Sequence, residues 1–370
     1  MSVEQELKLH VLKESRQAVK AIVDTAEAET IHLHAYYFDT HDRELAKAGI
    51  ALRLRKEPEG WIQTIKLPGA DALSKIELNH HRPDATLDLG VYISTPAEST
   101  FTQLKSPLLS RFETDIYRTL RLQNTAHGLI ELAYDVGVIR SDALEIPVCE
   151  IEFELKEGEP AAIFELAEAW QAQHGFLLDF RSKAERGDAL AHEAIALAAQ
   201  SKSDDHLNIN TIFKEFKLWQ AFQDDGAEFN DLDKTNHHLK KHSQTYLEQI
   251  ARNAAIIAGI ERSDMSIKAD FDCSEHIYHL CRGLHKMSLL WSAFRATETI
   301  IAPPQELLHT LNTYQEKFSK LSLASPYATG NDDCLDPAMQ TKAARQASKL
   351  SASADFQQYL LKVLAWTILD

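Results

Sequence analysis

Alternation with a period of two runs through the first 160 residues of the chain. In Val3–Leu9, the charges of Glu4, Glu6 and Lys8 point to one side of an extended segment, and Val3, Leu7 and Leu9 to the other. The same logic predicts strands over Ile31–Asp39, Ile50–Lys56, Trp61–Leu67, Lys75–Arg82, Phe112–Gln123, Gly128–Val138 and Cys149–Leu155. Turn pairs such as Glu59-Gly60, Pro68-Gly69 and Glu157-Gly158 separate several of them. Helices are predicted over Ser15–Glu29, Pro160–His174 (closed by Gly175) and from about Lys183 to Ala199.

Past the polar Ser201–Asp205 stretch the period changes to that of helices. The expected segments are Thr211–Gln223, Asp233–Glu261, Glu275–Ala296, Pro304–Leu321 and Ala338–Leu369. In the last of these, Phe356, Tyr359, Leu360, Val363 and Leu364 share one face, which marks a packed helical core. The expected organisation is therefore two domains, residues 1–200 rich in strands and residues 201–370 a helical bundle.

The charged faces of the strands carry the chemical signal. Arg53 and Arg55 share a face opposite Leu52 and Leu54, and Lys66 shares one with Thr64. Lys75 and Glu77 flank Ile76, Arg118 lies in line with Thr114 and Ile116, and Glu131, Ala133 and Asp135 occupy one side of their strand. Glu150, Glu152 and Glu154 stand against Ile151, Phe153 and Leu155. A single stripe of this kind is normally a solvated sheet face. A series of strands with one wholly charged face implies either open solvent or a closed, wet barrel. The signs also sort by strand, with cations at Arg53, Arg55, Lys66 and Arg118 and carboxylates along residues 150–154. Polyphosphate oxygens need several guanidinium and ammonium donors, and Mg²⁺ or Mn²⁺ needs hard carboxylate oxygens. A cavity with one wall of each kind can hold a metal–polyphosphate complex and set up in-line attack by water. For Arg82 and Arg121, alternation alone leaves the facing open.

Composition narrows the class. The 370 residues carry a formal charge of −16, most of it before residue 200, which argues against nucleic acid as a partner. No apolar run reaches spanning length and no leader-like segment opens the chain, so a cytoplasmic protein without a membrane partner is expected. The four cysteines form no CxxC pair and are read as free thiols.

In their order these motifs resemble the CYTH superfamily, the triphosphate tunnel metalloenzymes, over roughly the first 190 residues. The resemblance rests on Glu4-x-Glu6-x-Lys8, Tyr36–Thr40, Leu52–Arg55, Thr64–Lys66, Lys75-x-Glu77, Asp115–Arg118, Asp135, Glu150-x-Glu152-x-Glu154 and Ser182–Gly187. It is greatest for bacterial inorganic triphosphatases with an added C-terminal helical domain. It implies an α+β chain, a closed eight-stranded antiparallel β-barrel tunnel followed by an all-α bundle. It also implies hydrolysis of inorganic triphosphate to pyrophosphate and phosphate with Mg²⁺ or Mn²⁺, by direct attack of a metal-activated water. Thiamine triphosphatase and adenylate cyclase are alternative activities on the same fold, and a polyphosphate-binding module with little turnover is a third reading. By resemblance, Lys8, Arg53, Arg55, Lys66, Lys75, Arg118, Lys183 and Arg186 bind phosphate. Glu4, Glu6, Glu77, Asp135, Glu150, Glu152 and Glu154 hold metal, and Glu4, Glu6 and Lys8 serve the chemistry. Lys75 stands where close relatives are expected to carry arginine, keeping the charge but not the bidentate fork.

The helical half gives fainter signals. His276, His279, Arg282 and Lys286 partly resemble a CHAD domain, a histidine-rich bundle associated with long-chain polyphosphate, though a polar flank of a packed helix explains the same spacing better. His238 and His242, with Lys240 and Lys241 between them, read as a solvated face rather than a metal pair. There is no P-loop, GxSxG or GxGxxG, and no covalent nucleophile is indicated.

Overall fold

Strand β1 (Ser2–His10) has two neighbours along one edge and one along the other, and that closes the sheet. In the computed structural model the strands run β2 (Glu29–Asp39), β3 (Ala51–Glu57), β4 (Gly60–Pro68), β5 (Ser74–Arg82), β6 (Leu109–Asn124), β7 (Gly128–Ser141) and β8 (Leu144–Gly158). The structure describes residues 2–57, 59–200, 236–260, 273–295, 302–324 and 337–369. The sheet order is β5-β4-β3-β2-β6-β7-β8-β1, and antiparallel pairing of β1 with β5 (Ser2↔Glu77, Glu4↔Lys75) joins the ends into an eight-stranded barrel. Farther along the same edge of β1, Leu9 and His10 pair with the two-residue strand β9 (Leu177–Leu178).

The aliphatic faces point outward, and over β3, β4 and β5 they are covered. Helix α1 (Arg16–Val23) follows β1; α2 (Glu44–Lys47) lies between β2 and β3, and α3 (Glu98–Thr102) between β5 and β6. Leu45, Tyr92, Ala97 and Phe101 close over Ile50, Leu52, Ile65 and Leu78 in one buried cluster. Asp39, in the Tyr36–Thr40 motif, is buried as the acceptor for the N–H groups of Leu45 and Ala46 at α2, at 2.9 Å each. That motif aspartate therefore organises a turn.

The predicted strands all form, with edges moved by at most five residues. The helix expected over residues 15–29 is shorter: a 3-10 turn over Lys13–Ser15 leads into α1, and a turn bonded Ala28 N–H to Thr25 O hands the chain to β2. Residues 83–108, left unassigned by periodicity, supply α3 and a 3-10 turn at Leu89–Tyr92.

Helices α4 (Ala161–His174) and α5 (Lys183–Gln200) follow the barrel, then α6 (Asn236–Ala258), α7 (Ser274–Arg295), α8 (Gln305–Ser322), α9 (Pro337–Ser351) and α10 (Ala354–Ile368). The single helix expected from 338 to 369 is broken at Ser353, whose extended backbone (φ −67°, ψ 141°) starts α10 with Asp355 in its first turn. The polar break at 201–205, the helix expected over 211–223 and Cys334 lie outside the described residues. Cys149, Cys273 and Cys281 are free thiols.

The chain contacts fall into two interleaved units. One holds the start of β1, Gln17–Gly158 and α5; the other holds Lys8–Arg16, Glu159–Phe180 and α6–α10. In the second unit α10 packs on α4: Gln358 Nε2 donates to Glu168 O at 2.8 Å, and Gln357 Oε1 accepts from Leu178 N at 2.7 Å. Among the described residues no helix is long and apolar enough to cross a membrane.

Candidate active site in the barrel lumen

Cross-strand partners point to the same face, so register shows which charges meet. Lys66 faces Glu77 across β4–β5, Arg118 faces Asp135 across β6–β7, and Asp135, Ala133 and Glu131 face Glu150, Glu152 and Glu154 across β7–β8. Thr64 lies between Arg53 and Asn79. Around the ring, β3, β4 and β6 bring cations, β7 brings carboxylates, β8 and β1 bring mainly carboxylates with Lys156 and Lys8 at their ends, and β5 brings one of each. The cationic and carboxylate walls expected from the sequence stand on adjoining strands, with β2, uncharged at the positions paired with Arg53 and Arg55, between β3 and β6, and ion pairs form where the two signs meet.

At one seam Lys66 Nζ lies 3.0 Å from Glu4 Oε2 and 2.7 Å from Glu77 Oε2, with Arg53 at 3.8 Å from Glu77. At the other, Arg118 holds Asp135 through two bonds of 2.7 Å and also pairs with Glu152. Strands that are not neighbours are coupled as well: Lys66 senses Glu6 and Glu152, and Arg118 senses Glu6 and Arg53. Only side chains projecting into a common interior can interact across intervening strands.

The N-terminal turn of α5 adds two further cations. Lys183 Nζ sits 2.7 Å from Asp135 and 2.8 Å from Glu152, and also bonds Glu150. Arg186, almost wholly buried, pairs with Glu150 at 3.3 Å and donates to Pro147 O at 2.6 Å. Gly187 lets this helix come close, because a Cβ there would lie 2.2 Å from the Phe112 ring. Arg43, in left-handed backbone (φ 61°), anchors the next residue, Asp188, through Nε at 2.9 Å.

The environment separates the carboxylates. Burial pushes Glu4 up to about 7 against the pull of Lys66, and the neighbouring Glu77 charge adds to the rise. Glu77 goes down to about 2: burial opposes this, but Lys66 and Arg53 outweigh it. Burial would likewise raise Glu152, yet Arg118 and Lys183 hold it well below the usual range. Arg55 is lowered, first by Arg53 beside it and then by burial. Asp135, Glu150 and Glu152 each offer an oxygen within 4.8 Å of the other two, and among the described residues they are the only such triad. An all-oxygen anionic donor set of this kind fits Mg²⁺ or Mn²⁺.

Of the sequence-derived candidates, Asp135, Glu150 and Glu152 converge as that triad, while Glu4 and Glu77 form a separate pair around Lys66. Glu6 lies within electrostatic reach of both seams and makes no direct ion pair among the described residues. Glu154 is farther along β8, bonded to Lys156 at 2.7 Å, and Lys156 also reaches Glu131 at 3.4 Å. Arg55 Nε donates to Glu57 at 2.7 Å, and Lys75 stands in register with Glu4. Lys8 continues the Glu4–Glu6 face of β1. Arg82 and Arg121 fall on the outer face, Arg82 paired with Asp88 at 2.9 Å and Arg121 bonded to Gln123.

Sequence reading passed over Asn79, which donates to Glu77 at 2.8 Å, and Lys156, although both continue alternating faces already noted. Tyr37 of the Tyr36–Thr40 motif lines the wall against Arg53 and stacks on Phe112 at 4.5 Å. In α7, His276 and His279 are buried, His276 bonding Asn253 at 2.9 Å, whereas Arg282 is exposed.

The sequence pattern of the CYTH domain matches residues 2–187. The chain belongs to the CYTH family. An inorganic triphosphatase of Haemophilus influenzae is 33% identical over 168 residues, which cover 44% of this chain and 46% of that protein. The match thus spans about half the length of this relative. Among solved structures, a Hippeastrum protein reported to have a dominant triphosphatase activity is 18% identical (TM-score 0.34, 49% of this chain and 92% of that one). A Bacillus halodurans protein is 23% identical (TM-score 0.33, 46% and 90%). The matched region takes in the barrel strands and the first turn of α5.

Proposed function

We propose that the lumen hydrolyses inorganic triphosphate to pyrophosphate and phosphate with Mg²⁺ or Mn²⁺. The observation that carries this reading is that cations of β3, β4 and β6 and carboxylates of β7, β8 and β1 turn into one closed interior. The resemblance to the Haemophilus triphosphatase supports it.

Arg53, Arg55, Lys66, Lys75 and Arg118 bind the phosphate oxygens, helped by Lys8, Lys183 and Arg186. Arg53 Nε is buried without a hydrogen-bond partner, so an anion entering the lumen would satisfy it. Asp135, Glu150 and Glu152 hold the divalent ion, with Glu6 in reach; Glu77 and Glu154 support the neighbouring cations. The ion supplies charge neutralisation on the chain of phosphates and a template for in-line displacement. Glu4, poised near 7, accepts a proton from the attacking water, and Lys66 beside it stabilises the charge that develops.

A panel of inorganic triphosphate, thiamine triphosphate and ATP, each with Mg²⁺ and Mn²⁺, tests the assignment. Preferential phosphate release from inorganic triphosphate supports it, and preference for either organic substrate replaces it with that activity. For the helical unit, long-chain polyphosphate is the proposed partner. Lys342, Arg345 and Lys349 line one open face of α9, and α9 carries no acidic residue. Lys342→Ala with Lys349→Ala should weaken long-chain binding while sparing triphosphate turnover.

A further inference from the structure

The carboxylate triad already has a cation in it. Lys183 Nζ contacts Asp135 Oδ2 at 2.7 Å, Glu152 Oε1 at 2.8 Å and Glu150 Oε1, so one ammonium spends its donors on the three side chains best suited to a divalent ion. These carboxylates are deeply placed, with side-chain exposures of 1%, 2% and 13%. A Mg²⁺ or Mn²⁺ ion would sit about 2.0–2.2 Å from the same oxygens. An ammonium left in place would then face a dication at roughly van der Waals contact with no ligand between them, in a site shielded from water. Both cations cannot stay.

We propose that Lys183 is a displaceable counter-ion: it neutralises the Asp135–Glu150–Glu152 site without metal, and metal entry drives its side chain out toward the lumen. This rests on the reading of the triad as a metal site. The movement belongs to the side chain and leaves the helix in place. Lys183 is the first residue of α5 and has a four-carbon stem, whereas the following turn is clamped by Arg186 on Glu150 and Pro147, Gly187 against Phe112 and Asp188 on Arg43. The expelled ammonium joins the cationic arc beside Arg118, which it already senses. Metal loading thereby adds a ligand for the polyanion, and metal should bind before triphosphate.

The test uses the full chain without phosphate and reads Mn²⁺ binding by electron paramagnetic resonance or calorimetry. Lys183→Met removes the competitor and should tighten the strongest Mn²⁺ site at least tenfold; Lys183→Arg keeps the charge and should not. In the wild-type protein, trace acetylation followed by peptide mass spectrometry should show Lys183 becoming more reactive as Mn²⁺ is added. This measurement stands even if the Met variant fails to fold. Equal or weaker Mn²⁺ affinity in folded Lys183→Met, or lower Lys183 reactivity with Mn²⁺, overturns the exchange and leaves the metal site standing. If wild type and variants all fail to bind Mn²⁺, the metal reading and the exchange fall together.

Discussion

Two glutamates on neighbouring strands show how far one environment separates identical side chains. In the folded state Glu4 keeps its proton to about 7, whereas unfolded it would release it near 4.5. The stability that neutral Glu4 contributes is therefore fully present below pH 4.5 and is lost as pH rises through 7. Glu77 has the opposite sign: its contribution is present above pH 4.5 and is lost as pH falls toward 2. Metal-free wild type should thus lose Tm relative to Glu4→Gln between pH 4.5 and 7, measured by differential scanning calorimetry in EDTA; a constant difference across that range would remove the assigned shift. At the other seam, Arg118 is bonded to Asp135 and Glu152 in the interior. Arg118→Met leaves two buried carboxylates short of a partner and should cost about 3–5 kcal/mol in urea denaturation.

Elements place those residues, and most of the elements were legible. Charge on every second position of β1, β3 and β8 gave both the strands and the face that turned inward, because a period of two admits only two orientations. The same rule resolves Arg82 and Arg121 once strand pairing is known, since each lies an odd number of positions from a lumen residue of its own strand. Less visible were the features that depend on distant partners. Gly187 needs no special backbone angle; its role comes from the Phe112 ring lying where a Cβ would go. Neither residue's sequence neighbours announce that contact. Gly187→Ala should displace the start of α5, lower stability by about 1–3 kcal/mol and reduce triphosphate turnover, since Lys183 and Arg186 ride on the same turn. Thermal melts beside a phosphate-release assay read both effects. The triad was legible only in part: alternation put Asp135, Glu150 and Glu152 on one face but treated Glu4, Glu77 and Glu154 as equals. The partition among them is set by Lys66 and Lys183 arriving from other elements and by Lys156 farther along β8.

At the scale of the molecule, the helical unit reaches back into the chain before residue 200. Helix α4 and β9 belong with α10, tied through Gln171, Gln357 and Gln358, and their buried faces include Ile163, Phe164, Leu177 and Leu178. A chain cut after Gln200 would leave those faces open to water. It should bind a hydrophobic dye and melt earlier than the full chain, and adding residues 201–370 in trans should reverse both; equal melting would make the first 200 residues self-sufficient. The barrel's charge arrangement is the larger claim. Its most direct measurement is phosphate and pyrophosphate release from inorganic triphosphate by wild type and Arg55→Ala, with Mg²⁺ or Mn²⁺ and with EDTA. The account predicts equimolar products that depend on the metal and fall at least a hundredfold in the variant. Turnover that persists undiminished in Arg55→Ala, or that ignores EDTA, would contradict it.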